Sequence, residues 1–127
     1  MTVSILAVDD ETDVADLFRQ HFRHEVRQGQ YVLHFAGSAE QALDKLATIE
    51  PQLIVILFDN MPGLDGLLLL REIKERRPDL PVIMVTADRD DERRRRASEY
   101  GAAEFITMPV DFEFLKTQLR RLSVPPG

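Results

Sequence analysis

Four apolar stretches of this chain run into residues that could do chemistry together. Val3–Val8 leads into Asp9-Asp10-Glu11, and Leu53–Phe58 into Asp59-Asn60. Residues 81–86 end at Thr86 before Ala87-Asp88, and Glu104–Thr107 leads into Met108-Pro109. Carboxylates that converge on one edge make an oxygen-ligand site for a hard divalent cation, above all Mg2+. A bound cation would offset their mutual repulsion. It would also neutralise a phosphoryl group during transfer. Acidic residues also form turns and cap helices, so one cluster is weak evidence. Two adjacent aspartates after one stretch, another after the next and a Thr-Ala after a third form a much more specific set.

The elements that must position these residues follow from the apolar pattern. Val3–Val8 is short, β-branched and unalternating, as a buried strand is. Residues 12–27 place Val14, Leu17, Phe18, Phe22 and Val26 at helical spacing, which predicts one helix. Tyr31–Ala36 follows the break at Gly29 as a second strand. Ser38 is expected to cap a helix through Ile49. Leu53–Phe58 is the most apolar strand, and the loop NMPGLDG (60–66) leads into a helix over 66–76. A strand over 81–86, a helix over 90–100, a strand at Glu104–Thr107 and a helix over 111–122 complete the chain, with Gly101 as a C-cap. Strand–helix units in this order predict a single α/β domain over 1–122, a parallel sheet with helices on both faces. Residues 123–127 read as a tail or the start of a linker. Ligands of such sheets bind outside the carboxyl ends of the strands, where the strand order reverses.

Composition removes several function classes. The chain has 127 residues, 44% hydrophobic and 30% charged, as expected of one globular domain. With no cysteine, disulfides, thiol catalysis and Cys-ligated metals are excluded. No apolar run approaches the ~20 residues needed to span a bilayer and no secretory signal is visible, so a cytoplasmic location without membrane contact is expected. Against 22 Asp+Glu stand 16 Lys+Arg, a formal charge of −6, which argues against direct nucleic-acid binding. His21, His24 and His34 form no nucleophile–base–acid set with any serine, and no phosphate-binding glycine loop is present. The chain is therefore read as a non-enzyme.

On the residues ILAVDDE (5–11), NMPGLDG (60–66), PVIMVTA (81–87) and GAAEFITMP (101–109), the chain resembles the receiver domains of two-component response regulators over nearly its whole length. The resemblance implies a flavodoxin-like, doubly wound five-stranded sheet of order 2-1-3-4-5. It implies Mg2+-dependent phosphoryl transfer from a histidine kinase, or another phosphodonor, to the aspartate ending the third strand. Asp9 and Asp10 match the acidic metal pair, Thr86 the switch hydroxyl and Phe105 the switch aromatic. Receivers signal to protein partners, or to a second copy, through the face of the fourth and fifth predicted helices (90–100 and 111–122).

Two departures from the family pattern bear on chemistry. Family members read Asp-x-x-Met-Pro, and counting back from Pro62 in that way lands on Phe58. Anchoring on the strand instead makes Asp59 the phosphoacceptor and shortens the loop by one residue, which costs less than placing Phe at a metal site. The shorter loop would displace the backbone carbonyl, here that of Met61, that the family uses as a metal ligand. The family's lysine before the last proline is replaced by Met108, which offers no charge and no strong donor. Phe58, Met108 and the exposed candidate Leu68 together suggest strand ends more apolar than the pattern. Three readings follow: an acceptor with slowed phosphorylation, a pseudo-receiver acting as an interaction module, or an engineered scaffold with a remodelled apolar site. The run Arg93–Arg96 reads mainly as a solvated helix face.

Overall fold

The computed structural model describes residues 2–9, 12–49, 52–58, 66–86 and 91–123. Five parallel strands, β1 (Val3–Val8), β2 (Tyr31–Ala36), β3 (Leu53–Phe58), β4 (Val82–Thr86) and β5 (Glu104–Thr107), form one sheet of order β2-β1-β3-β4-β5. Among the described residues six helices accompany them: α1 (Thr12–His21), α2 (Arg23–Arg27), α3 (Ala39–Leu46), α4 (Gly66–Arg76), α5 (Asp91–Glu99) and α6 (Phe112–Ser123). The order reverses between β1 and β3, and this is the switch point whose carboxyl edge takes ligands in such sheets.

The alternation of β3 shows why its apolar run lacks polar positions. Leu53, Val55 and Leu57 enter a core with α3, α4 and α5, whereas Ile54, Ile56 and Phe58 enter one with α1 and α6. Both faces are covered, so all six residues are buried.

The helix expected over 12–27 is two helices. Phe22 takes φ −105° and ψ 11° between them. Its N–H still donates to Phe18 O at 2.9 Å, and Val26 N donates to Phe22 O at 2.9 Å, so the chain bends without losing these bonds. Burial explains the bend. Phe22 is fully buried, stacking on Phe18 at 5.5 Å and meeting Tyr31 edge-on at 5.8 Å.

Helix ends follow local chemistry. Ser38 caps α3 as expected, its Oγ accepting from Gln41 N at 3.1 Å, although the helix stops at Leu46 and not at Ile49. Asp111 is the cap of α6 and not its first residue, since its Oδ1 accepts from Glu113 N and Phe114 N at 3.0 and 3.2 Å. Gly101, at φ 98°, ends the α5 segment. Lys74 of α4 fixes the turn into β4 by donating to Pro78 O and Leu80 O at 2.9 and 2.8 Å.

Candidate functional site

β1 and β4 flank β3, and each ends in a buried polar residue. Asp9 follows β1 and is 8% exposed; Thr86 ends β4 and is 2% exposed. Burial of a carboxylate is costly unless a cation or donors compensate it. Backbone bonds hold the edge in place. Asp9 N donates to Ala36 O at 3.0 Å, tying β1 to the end of β2. Met108 N donates to Thr86 O at 2.8 Å, tying the residue after β5 to the end of β4. The Met108–Pro109 peptide is cis.

The register gives the levels. Val8 pairs with Leu57 and Phe58 with Val85, so Thr86 stands one residue beyond the last described residue of β3. Asp59 is covalently next to Phe58 in the chain. Asp10, Asp59 and Met61, all expected at this site, lie outside the described residues.

Phe58 does not make the edge apolar. Its ring is 2% exposed and meets Phe18 of α1 edge-on at 6.0 Å, inside the core on the α1–α6 side. Its size serves packing, which also explains how the strand can carry a large apolar residue immediately before an acidic one. Met108 is 37% exposed and Leu68 of α4 is 58% exposed, while Leu67, Leu69 and Leu70 are buried. Of the three residues expected to make the strand ends more apolar, Met108 stands at that edge after β5, whereas Phe58 is buried in the core and Leu68 is exposed on α4.

Phe105 and Thr86 share the α3–α5 side of the sheet. Met84 pairs with Phe105 and Thr86 with Thr107, so the ring and the hydroxyl sit two positions apart along neighbouring strands. The Phe105 ring is half-buried against that core, and Arg94 of α5 lies over it, Cζ 5.2 Å from the centroid. A cavity of about 180 Å³ lies beside it, between Arg94 and Ser98 of α5 and 102–105. Arg94 was not singled out by sequence, because within four identical residues only the helical phase selects the one that reaches β5. Its neighbours are solvated as expected: Arg95 and Arg96 pair with Glu92 at 3.3 and 3.6 Å.

The histidines stand apart from the strand ends. His21 stacks on Phe112 at 3.8 Å, and burial, aided by Lys45, lowers the pKa of His34 below 6.5.

A doubly wound sheet with a buried aspartate and threonine at the carboxyl ends of the strands around its switch point defines a flavodoxin-like signalling receiver. The chain belongs to the response regulator receiver domain family, which it matches over residues 5–120. It is 32% identical over 122 residues to the response regulator MprA of Mycolicibacterium vanbaalenii, covering 96% of this chain and 51% of that one. The chain thus spans about half the length of the curated relatives it matches. Among solved structures, a CheY-like receiver from Methanospirillum hungatei superposes with TM-score 0.81 at 26% identity, covering 96% of this chain and 97% of that one. The response regulator TrrA of Thermotoga maritima, solved in complex with Mg(2+)-BeF, superposes with TM-score 0.77 at 30% identity, covering 95% and 99%. Receiver domains are signalling modules, and nothing in these likenesses favours the pseudo-receiver or the engineered scaffold. Among the described residues, no helix is long and apolar enough to cross a membrane.

Proposed function

We propose that this chain is a phosphoacceptor receiver of a phosphorelay, in which Asp59 takes the phosphoryl group. The observation that carries the reading is the pair of buried polar residues, Asp9 and Thr86, on the two strands flanking β3, whose next residue in the chain is Asp59. A carboxylate oxygen of Asp59 attacks phosphorus of a phosphohistidine or a small phosphodonor. The P–N or P–O bond breaks, the leaving group keeps the electron pair, and an acyl phosphate forms.

The donor set fits Mg2+. Asp9 presents a buried carboxylate, and the family's lysine, which would share the neutralising task, is Met108 here. Asp9, Asp10, Asp59 and the carbonyl of Met61 would hold the ion, which supplies charge neutralisation for the incoming phosphoryl oxygens. The Mg(2+)-BeF complex of the Thermotoga relative supports this choice of cation.

The remaining roles fall to this chain's own groups. The Thr86 hydroxyl donates to a phosphoryl oxygen, drawing the end of β4 toward Asp59. Phe105, two positions away on the same side, turns toward the space Thr86 leaves, and the adjoining cavity gives the ring room. Arg94 then loses its platform, and the α5–α6 surface changes for a protein partner or a second copy. With Met108 in place of lysine, one cationic donor to the phosphoryl group is missing, so phosphorylation is slow.

Intact mass after incubation with Mg2+ and acetyl phosphate, beside Asp59→Asn, tests the reading. A single phosphoryl adduct absent from the variant is expected. Saturating donor and Mg2+ with no adduct would overturn it and leave an interaction module.

A further inference from the structure

The opposite edge of the sheet carries a feature that phosphorylation chemistry does not use. Among the described residues, β2 pairs with β1 alone. Gln30 O accepts from Val3 N, and Ala36 O accepts from Asp9 N, each at 3.0 Å. The even-numbered residues of this strand therefore turn their backbone groups toward β1. By alternation the N–H and C=O groups of Tyr31, Leu33 and Phe35 point outward. An edge of this kind is a template for another strand.

A groove of about 850 Å³ runs along these residues, walled by α1 and α2 on one side and by Lys45 of α3 on the other. Its charge is opposite to that of the chain. Arg19, Arg23 and Arg27 recur every four residues along one wall, and no acidic residue lines the groove among the described residues. Arg19 is engaged by Asp16 at 3.2 Å and lies over Phe35 at 4.8 Å. Arg23 and Arg27 make no ion pair among the described residues. Val26 of α2, 40% exposed, lies on the arginine side of the groove, and Val32, 44% exposed, gives the opposite face of the strand an apolar footing.

We propose that this groove takes an extended acidic peptide segment, added to β2 as a further strand. Its backbone bonds to Tyr31, Leu33 and Phe35, its carboxylates face Arg23 and Arg27 on the α1–α2 side, and its alternate apolar residues face the α3 side beside Val32. A second copy of β2 is disfavoured, because it would bring two basic walls together. A nucleic acid would gain nothing from the outward N–H and C=O ladder, and it would meet a net charge of −6.

The test uses a short, end-blocked, fluorescein-labelled peptide alternating Glu and Val, titrated with the intact protein and read by anisotropy. Three controls accompany it: the same peptide with Lys for Glu, the same with N-methylated alternate amides, and the Arg23→Glu/Arg27→Glu variant. Saturable binding is expected, weakened about tenfold or more in the variant and by each altered peptide. Amide NMR shifts at Tyr31, Leu33 and Phe35 would accompany it. N-methylation acts on the probe alone, so it reads strand addition without disturbing the fold. Absence of saturable binding overturns the proposal. So does equal binding of the N-methylated peptide, tighter binding of an oligouridylate at equal salt, or concentration-dependent dimerisation that the peptide does not reverse.

Discussion

The two faces of the sheet are packed by different means. On the α1–α6 side, Phe18 stands at the centre of a ring cluster, within 5.5 to 6.0 Å of Phe22, Phe58 and Phe112. The half-buried Lys116–Glu25 pair closes its rim at 2.8 Å, and Lys116 also lies over Phe22 at 5.3 Å. On the other side the core is aliphatic, and α5 contributes a single buried side chain, Ala97. Large rings interlock and resist displacement, whereas a helix held by one methyl group moves at little cost. Thr86 and Phe105 both lie on the side that carries this lightly packed helix. The molecule thus keeps its anchor and its candidate switch on opposite faces of one sheet.

Substitutions can break this contrast, and the largest effect is expected on the anchored face. Phe18→Ala should lower unfolding free energy by about 3–5 kcal/mol in urea titrations, because it leaves a cavity touching three other rings. A loss below about 1 kcal/mol would mean that the ring cluster is not the anchor.

Next is Lys116→Met, which leaves the Glu25 carboxylate half-buried without its partner. About 2 kcal/mol should be lost at pH 7, discounted from fully buried pairs for residual exposure of 16% and 15%. Acid titration gives the sign. Burial alone would raise the Glu25 pKa, but the Lys116 hydrogen bond, a backbone hydrogen bond and the nearby positive charges together outweigh it and hold it below 4.5. The pair therefore stabilises above pH 4.5, and its contribution fades as pH falls through the folded-state value. In Lys116→Met that acid-linked loss should be smaller.

Met108→Lys sharpens the comparison from the site side. Restoring a cationic donor beside the strand ends should speed phosphoryl uptake from acetyl phosphate about tenfold, roughly one charge-assisted hydrogen bond. An unchanged rate would show that the side chain at 108 does not reach the phosphoryl group. Ala97→Gly should cost about 1 kcal/mol globally. If α5 is the weakly held element, hydrogen exchange in 91–99 should accelerate more than in α6. Leu68→Ser, at a side chain 58% exposed, should stay within about 0.5 kcal/mol of the parent in thermal melts.

The chain's apolar periodicity determined most of the architecture. Strands of β-branched runs, helices of 3.6-residue period and the cap at Ser38 were all legible, because each depends on residues close in sequence. Of the candidate site, Asp9, Thr86 and Met108 close or follow strands whose ends are visible in the sequence and Phe105 lies within one, whereas Asp10, Asp59 and Met61 lie outside the described residues. Tertiary structure alone decided the rest. The bend at Phe22 follows from its packing between Phe18 and the Tyr31 ring of β2, and the burial of Phe58 from a partner ring forty residues earlier in the chain. Which of four arginines covers Phe105 depends on the helical phase in which α5 packs against β5. The basic groove needed both: its four-residue arginine spacing is written in the sequence, but that β2 is an edge with outward N–H groups is set by strand order, which no local pattern encodes.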